Sequence, residues 1–196
     1  MFFSQKLKLL KFFFMILFAG SIIGFNPAQS EENTKKVLVV YFSVSGNTRI
    51  IAEKIQKELK ADICRIETVK EYPTEYDELT KAGKREIDNK VMPELKLTDK
   101  NVKDYDVIII GTPTWWYTAT PAIMSFISNN DFSDKTVCFF MTNGGYSGAG
   151  INHMKIACNA KTFGPDIKIE FEFPADGKIK TPEKVINEWI NKLKKI

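Results

Sequence analysis

The sequence predicts an α/β domain, a doubly wound parallel sheet of five strands in the order 2-1-3-4-5. Three observations predict it. The runs 37–42, 107–110 and 136–141 are apolar on every side, as strands buried on both faces must be. Segments with helical spacing of apolar residues follow them, which is the pattern of crossover connections between parallel strands. Two further strand-like segments, 63–67 and 167–173, carry charge and belong at the edges. This order reverses direction between the first and third strands, and ligands of open α/β sheets bind at that switch point, outside the carboxyl ends.

Each element follows from local pattern. Residues 37–42 are β-branched at Val37, Val39 and Val40. A polar break at 43–48 leads into 49–60, where Ile51, Ala52, Ile55 and Leu59 recur at helical spacing. Residues 63–67 form a short strand with one wet side. The charged stretch 75–89 reads as an exposed helix, and 91–103, which contains Pro93, as a connector. The run 107–110 stops at Gly111. A helix opens at Pro121, a residue tolerated in a first turn. The run 136–141 is the fourth strand, and 151–160 the helix after it. In 167–173, Ile167, Ile169, Phe171 and Phe173 alternate with Lys168, Glu170 and Glu172, a strand with one solvated face. Thr181 is expected to cap the last helix. There Val185, Ile186, Trp189, Ile190 and Leu193 make one stripe, so Trp189 reads as core.

The folded domain spans 36–196, and residues 1–30 read as a secretory signal. Lys6, Lys8 and Lys11 form its positive region, 12–25 its apolar stretch, and Ala28 and Ser30 the small residues before a cut. The apolar stretch is shorter than the ~20 residues of a spanning helix; an uncleaved anchor, the one route to a membrane, is the competing reading. No Arg precedes Arg49 and no Cys follows the stretch, which excludes twin-arginine and lipoprotein signals. The expected location is therefore outside the cytoplasm. The chain has 28 basic and 24 acidic residues; without the three leader lysines 25 face 24. No basic patch marks a nucleic-acid partner. Cys64, Cys138 and Cys158 show no motif spacing and receive no redox role. A single histidine, His153, gives little material for a metal site or a catalytic triad, and it reads as a surface or capping residue.

Each central strand is followed by a loop of unusual composition, and in a parallel sheet all three loops emerge at one edge. The first is Ser43, Val44, Ser45, Gly46, Asn47 and Thr48. It enters a helix, whose first N–H groups and positive dipole end suit a phosphate. It has no Lys, so it is no Walker A loop, and it lacks the G-x-G-x-x-G fingerprint. The second loop is Thr112, Pro113, Thr114, Trp115, Trp116 and Tyr117. Three adjacent aromatics after a buried strand need a flat cover; at least one Trp is expected to plug the core instead. The third is Thr142, Asn143, Gly144, Gly145, Tyr146, Ser147 and Gly148, running on to Gly150. Its backbone can come close to a ligand edge. A phosphate cradle, an aromatic wall and a backbone edge together describe a site for a phosphorylated planar cofactor.

Val-Val-Tyr-Phe-Ser-Val-Ser-Gly-Asn-Thr-Arg at 39–49 resembles the phosphate loop of flavodoxins. Gly-Thr-Pro-Thr-Trp-Trp at 111–116 and Thr-Asn-Gly-Gly-Tyr-Ser-Gly at 142–148 resemble the two flavin loops of a flavodoxin-like branch with a paired Trp, as does Glu-Tyr-Pro-Thr-Glu-Tyr-Asp-Glu-Leu at 71–79. The resemblance implies non-covalent FMN. Ser43, Ser45, Gly46, Asn47 and Thr48 would surround its phosphate, and 113–117 and 142–148 would flank its ring. It further implies electron transfer, with a redox protein or a small-molecule acceptor as partner. An FMN-dependent NAD(P)H oxidoreductase acting on quinones or other small acceptors is the alternative, and a module that has lost its cofactor the third reading. A phosphate loop of hydroxyls without Lys is expected to leave the phosphate charge uncompensated and so to lower the flavin's potential. The chain departs from many carrier flavodoxins in its near-neutral charge and its export signal.

Overall fold

The computed structural model describes residues 35–173 and 176–196. The leader lies outside the described residues. Elements run β1 (Val37–Tyr41), α1 (Asn47–Leu59), β2 (Asp62–Arg65), α2 (Tyr76–Asp88), β3 (Val107–Pro113), α3 (Pro121–Ser128), β4 (Thr136–Asn143), α4 (Gly150–Ala157), β5 (Thr162–Phe163), β6 (Ile167–Glu170) and α5 (Glu183–Leu193). The sheet is parallel in the order 2-1-3-4, with β5 and β6 both paired to β4.

Alternation of side chains along each central strand divides the core in two. Leu38, Val40, Ile108, Ile110, Val137, Phe139 and Met141 pack on one face with Ala122, Ile123, Phe126, Ile151 and Met154 of α3 and α4. Val39, Tyr41, Val107, Ile109, Cys138 and Phe140 pack on the other with Ile51 and Ile55 of α1 and Ile186, Trp189 and Ile190 of α5. Trp189 is buried, and its Nε1 donates to the Pro165 carbonyl at 3.0 Å. The three central strands are buried on both faces, and β2 keeps exposed residues at Asp62 and Arg65.

The fifth position in the sheet departs from the single strand that the alternation predicts. It is shared by β5, beside Thr136 and Val137, and β6, beside Phe140 to Asn143. Between them Pro165 has no N–H to give a ladder. Asp166 Oδ1 fills the gap by accepting from Phe139 N at 3.2 Å. Strand pairing also ends early. Phe171 is buried and bridges antiparallel to Ile179, but Phe173 is 65% exposed, outside the apolar face assigned to it. Thr181 does not cap α5, which has Pro182 at its N-cap and no side-chain cap bond. Its hydroxyl instead accepts from Glu170 N at 2.8 Å, fastening the end of β6. Among the described residues no helix is long and apolar enough to cross a membrane.

Candidate functional site

β1, β3 and β4 end at the same edge, and short bonds tie their loops together there. Thr48 Oγ1 and Thr142 Oγ1 are 2.8 Å apart in a buried pair. Thr114 N donates to Thr142 O at 2.7 Å, and Ala149 N to Tyr117 O at 2.9 Å. The first and third loops therefore meet through side chains, and the second and third through backbone.

The first loop leaves a helix end open. Gly46 takes the N-cap position of α1 at φ +98°, where no side chain caps the helix and the first turn has no acidic residue. The first-turn N–H groups have no intrahelical acceptor, and the dipole favours an anion beside them. Ser43 is buried, and its Oγ accepts from Gly46 N at 3.2 Å, closing the loop on itself. Val44 is half-buried against the core, and Ser45 is exposed. Asn47 is 9% exposed, and its Oδ1 is buried without a partner. Thr114 Oγ1, in the second loop, is in the same condition. Buried polar atoms are nearly always paired in native structures. Two orphans at one edge, beside an uncapped helix, fit a ligand that brings both an anion and hydroxyl groups.

The second loop is a two-residue hairpin. Trp115 N donates to Thr118 O at 3.0 Å and Thr118 N to Trp115 O at 2.9 Å. Trp116 and Tyr117, at its tip, have φ of 47° and 62°. Bulky residues in this left-handed region are strained, and such strain gathers at functional sites. The three aromatics separate. Trp115 turns inward, edge-on to Phe42 and Tyr72 at centroid distances of 5.7 and 4.9 Å. A methyl at Gly83 would stand 2.9 Å from its ring, so α2 seats it closely. Trp115 is thus the core plug, set beneath the site. Trp116 rests on α2, its Nε1 donating to Thr80 O at 3.1 Å and Lys84 Nζ lying 5.3 Å from its ring. Tyr117 is exposed and meets Tyr146 of the third loop, centroids 6.3 Å apart. Pro113 closes β3.

The third loop needs its glycines at two points. Gly145 and Gly148 have φ of 120° and 57°. A Cβ on Gly148 would come within 2.0 Å of Tyr117 O, so only glycine lets this loop touch the aromatic hairpin. Asn143 Oδ1 accepts from Gly145 N at 2.9 Å, and Lys168 Nζ donates to Gly148 O at 2.9 Å. Gly144 and Tyr146 are exposed, and Ser147 is half-buried.

Four residues outside the predicted set also reach this edge. Arg65 Nη2 donates to Ser43 O at 3.3 Å. Arg49 Nη2 stands 3.8 Å from where a Gly46 Cβ would be. Tyr72 supports Trp115, and its hydroxyl donates to Glu86 Oε2 at 2.5 Å; burial, then that carboxylate, raises its pKa and keeps it a phenol. Tyr76, at the start of α2, meets Phe173 at 5.6 Å. The loop has no Lys, as expected, and two arginines approach it, Arg65 at the Ser43 carbonyl and Arg49 beside Gly46. His153 is exposed on α4, its Nδ1 paired with Thr118 Oγ1 at 2.7 Å. Among the described residues no cluster of His, Cys, Asp or Glu could hold a metal ion.

A family model described as flavodoxin matches residues 36–193. The chain belongs to the flavodoxin family. No curated protein is similar enough to match it. Solved structures resemble it over most of their length. A candidate flavoprotein of Bacteroides eggerthii is 28% identical, with 80% of this chain and 96% of that one covered and a TM-score of 0.64. Another from Bacteroides uniformis is 24% identical, covered at 80% and 98%, with a TM-score of 0.66. A Lactobacillus acidophilus flavoprotein, solved in complex with FMN, is 22% identical, covered at 79% and 98%, with a TM-score of 0.58. The flavodoxin topology accounts for the convergence of the three loops, because it stacks β1, β3 and β4 side by side with their carboxyl ends together.

Proposed function

We propose that this flavodoxin binds one FMN non-covalently at the carboxyl edge of its sheet and serves in electron transfer outside the cytoplasm. The observation that carries the reading is the uncapped start of α1 together with the unpartnered Asn47 Oδ1 and Thr114 Oγ1 at the same edge. The FMN held by the Lactobacillus acidophilus relative supports the choice of cofactor. The phosphate would sit on Ser43, Val44, Ser45, Gly46, Asn47 and Thr48. The ring would lie between the loop of Pro113, Thr114, Trp115, Trp116 and Tyr117 and the loop of Thr142, Asn143, Gly144, Gly145, Tyr146, Ser147 and Gly148. Bound FMN supplies the electron chemistry. The chain's own residues bind and orient. First-turn N–H groups and Ser45 donate to the anion, Asn47 and Thr114 meet hydroxyl groups, and the Trp116–Tyr117 hairpin keeps water from the ring.

An FMN-dependent NAD(P)H oxidoreductase, acting on quinones or other small acceptors, is the second reading. It is favoured by one observation: Trp115 is turned into the core, while Trp116 and Tyr117 are 44% and 60% exposed, which leaves aromatic surface for a second planar molecule. Spectroscopy on the purified 31–196 chain separates the two. A yellow protein whose visible bands persist in NADH and in NADPH is the carrier. Bleaching by either one, with electrons passed on to a quinone, establishes the enzyme. A protein that stays colourless after incubation with FMN overturns both.

A further inference from the structure

The fold gathers lysines that the sequence scatters. In a parallel sheet each helix runs back toward the amino edge, opposite the loops of the candidate site. Lys36 stands there just ahead of β1, Lys57 and Lys60 in the last turn and at the C-cap of α1, and Lys192 and Lys195 at the end of α5. α1 and α5 pack on the same face of the sheet. Two bonds draw these ends together: Lys194 Nζ donates to Glu58 Oε2 at 2.7 Å, and Lys35 Nζ donates to Ile196 O. Lys35, Lys36 and Lys60 line one depression of about 360 Å3. Lys36, Lys57, Lys60, Lys192 and Lys195 are all exposed, and among the described residues none of them has an ion pair. The acids nearby are mostly engaged. Glu58 holds Lys194, Asp62 accepts from the Tyr105 hydroxyl at 2.6 Å and lies 3.9 Å from Lys100, and Asp106 accepts from Lys36 N at 2.8 Å; Asp104 shares the depression with Lys36 and Lys60. A cation at a helix end suits the dipole, but the dipole does not explain this corner. α3 has no basic residue in its last turn, and Lys155 of α4 is paired with Asp166.

We propose that this lysine corner is a docking surface for an anionic lipid bilayer, on which the domain stands with its candidate site facing away from the lipid. The orientation follows from the sheet: the corner lies at the amino ends of the strands, and the three loops leave the carboxyl ends. The path of the chain favours lipid over other polyanions. The segment ahead of Lys35 enters at this same edge, and residues 26–34, nine in all, separate it from the apolar stretch 12–25. Nine extended residues reach about 30 Å, so a bilayer that takes in the apolar stretch has this corner within reach. Single-stranded nucleic acid is read by exposed aromatics beside basic residues, whereas Tyr105, the aromatic of this corner, is buried. The surface depends neither on bound FMN nor on an uncleaved leader, because all five lysines belong to the folded domain. Lysines near an anionic membrane each contribute enough that removing one weakens binding about 3- to 5-fold at low salt, and salt screens the attraction.

The experiment is co-sedimentation of the 31–196 chain, which contains both halves of the core, with two kinds of vesicle at low and high salt. One is phosphatidylcholine alone, the other phosphatidylcholine mixed with phosphatidylglycerol. Wild type is compared with K57Q/K60Q/K192Q/K195Q and with K70Q/K81Q/K178Q/K184Q, which removes as much charge from exposed lysines elsewhere; thermal melts establish that both variants fold. Wild type should bind the phosphatidylglycerol vesicles and not the neutral ones, and high salt should release it. The corner variant should bind at least about 50-fold more weakly, and the control within about threefold of wild type. Trp116 is 44% exposed at the opposite edge, while Trp189 is buried, so acrylamide quenching of the tryptophans should be the same on vesicles as in solution. Failure of the wild type to bind, equal binding to both kinds of vesicle, or equal losses in the two variants overturns the proposal. Loss of acrylamide quenching on vesicles overturns the orientation and the proposal with it. Binding of duplex DNA that the corner variant loses, without binding to vesicles, gives the surface to nucleic acid instead.

Discussion

Asn47 and Thr48 stand next to each other in the chain but are not equivalent. The Thr48 hydroxyl already bonds Thr142 at 2.8 Å, while Asn47 Oδ1 has nothing. Thr48→Ala should therefore cost protein stability as well as FMN affinity, by about 0.5–1.5 kcal/mol for the lost bond. Asn47→Ala removes an atom that the apoprotein leaves unpaired, so apoprotein stability should hold or rise. Its FMN affinity should fall about 2- to 13-fold, a hydrogen bond to a neutral hydroxyl being worth roughly 0.5–1.5 kcal/mol. Paired urea melts and FMN titrations check both; a stability loss in Asn47→Ala as large as in Thr48→Ala would contradict the assignment. The cysteines make a second case. All three are free and buried. Burial raises the Cys64 pKa and pushes Cys138 up to about 12 and Cys158 up to about 11. Little thiolate exists at neutral pH, so a thiol reagent should modify none of them in the native protein and three in denaturant. The fold favours the neutral thiol. Its contribution is complete below the unfolded value of 9.0 and is lost as pH climbs from there toward 12, which an alkaline series of urea melts would follow. Composition could identify these residues, but not their partners. Arg65 looked like one charge on an edge strand, and only its register opposite Tyr41 brings it to the phosphate loop.

Strands were the most legible elements, because burial on both faces writes an uninterrupted apolar run. β1, β3 and β4 begin at the residues where those runs begin. Elements whose shape depends on one irregular contact were less so. The break between β5 and β6 turns on Pro165 and on Asp166 reaching Phe139 N, and Thr181 was drawn from capping to the end of β6. In both cases a long-range bond outweighed the local signal. The second loop shows the same limit. Its aromatic composition marked a site, but the hairpin that sends Trp115 inward and strains Trp116 and Tyr117 is a tertiary result. That strain is testable. Tyr117→Gly removes the Cβ that disfavours φ of 62°, while Tyr117→Val adds a branch there. The glycine variant should be the more stable apoprotein of the two by about 1–2 kcal/mol, and both should bind FMN more weakly than wild type if Tyr117 lines the ring. If the two variants melt together, the tip is not strained. If no single Ala among Trp115, Trp116 and Tyr117 changes FMN affinity or quenching, the aromatic wall is structural only.

At the scale of the whole molecule, the proposed export sets an order for the proposed cofactor loading, because of where the binding groups come from. The site draws on β1, α1, β2, β3 and β4, so it is assembled only in a folded chain. Thr48 and Thr142 are 94 residues apart in sequence, and Arg65 lies 22 from Ser43. An unfolded chain holds none of these contacts and cannot retain a non-covalent flavin. Lys6, Lys8 and Lys11 ahead of an apolar stretch, with no twin arginine, match the route that threads unfolded chains. Export by that route would deliver apoprotein, and FMN would be taken up outside the cytoplasm. Ligand that binds only the folded state stabilises it by RT ln(1 + [L]/Kd), so the exported protein should melt at lower temperature as isolated than after FMN is added. Cells expressing the full chain would be fractionated and the mature amino terminus sequenced. The expected product starts at Glu31, lies in the extracytoplasmic fraction, and turns yellow only on addition of FMN. Full-length yellow protein confined to the cytosol would refute both the export and the loading order. A yellow mature form recovered directly from the extracytoplasmic fraction of cells without external flavin would leave export standing and require FMN to be supplied there by the cell.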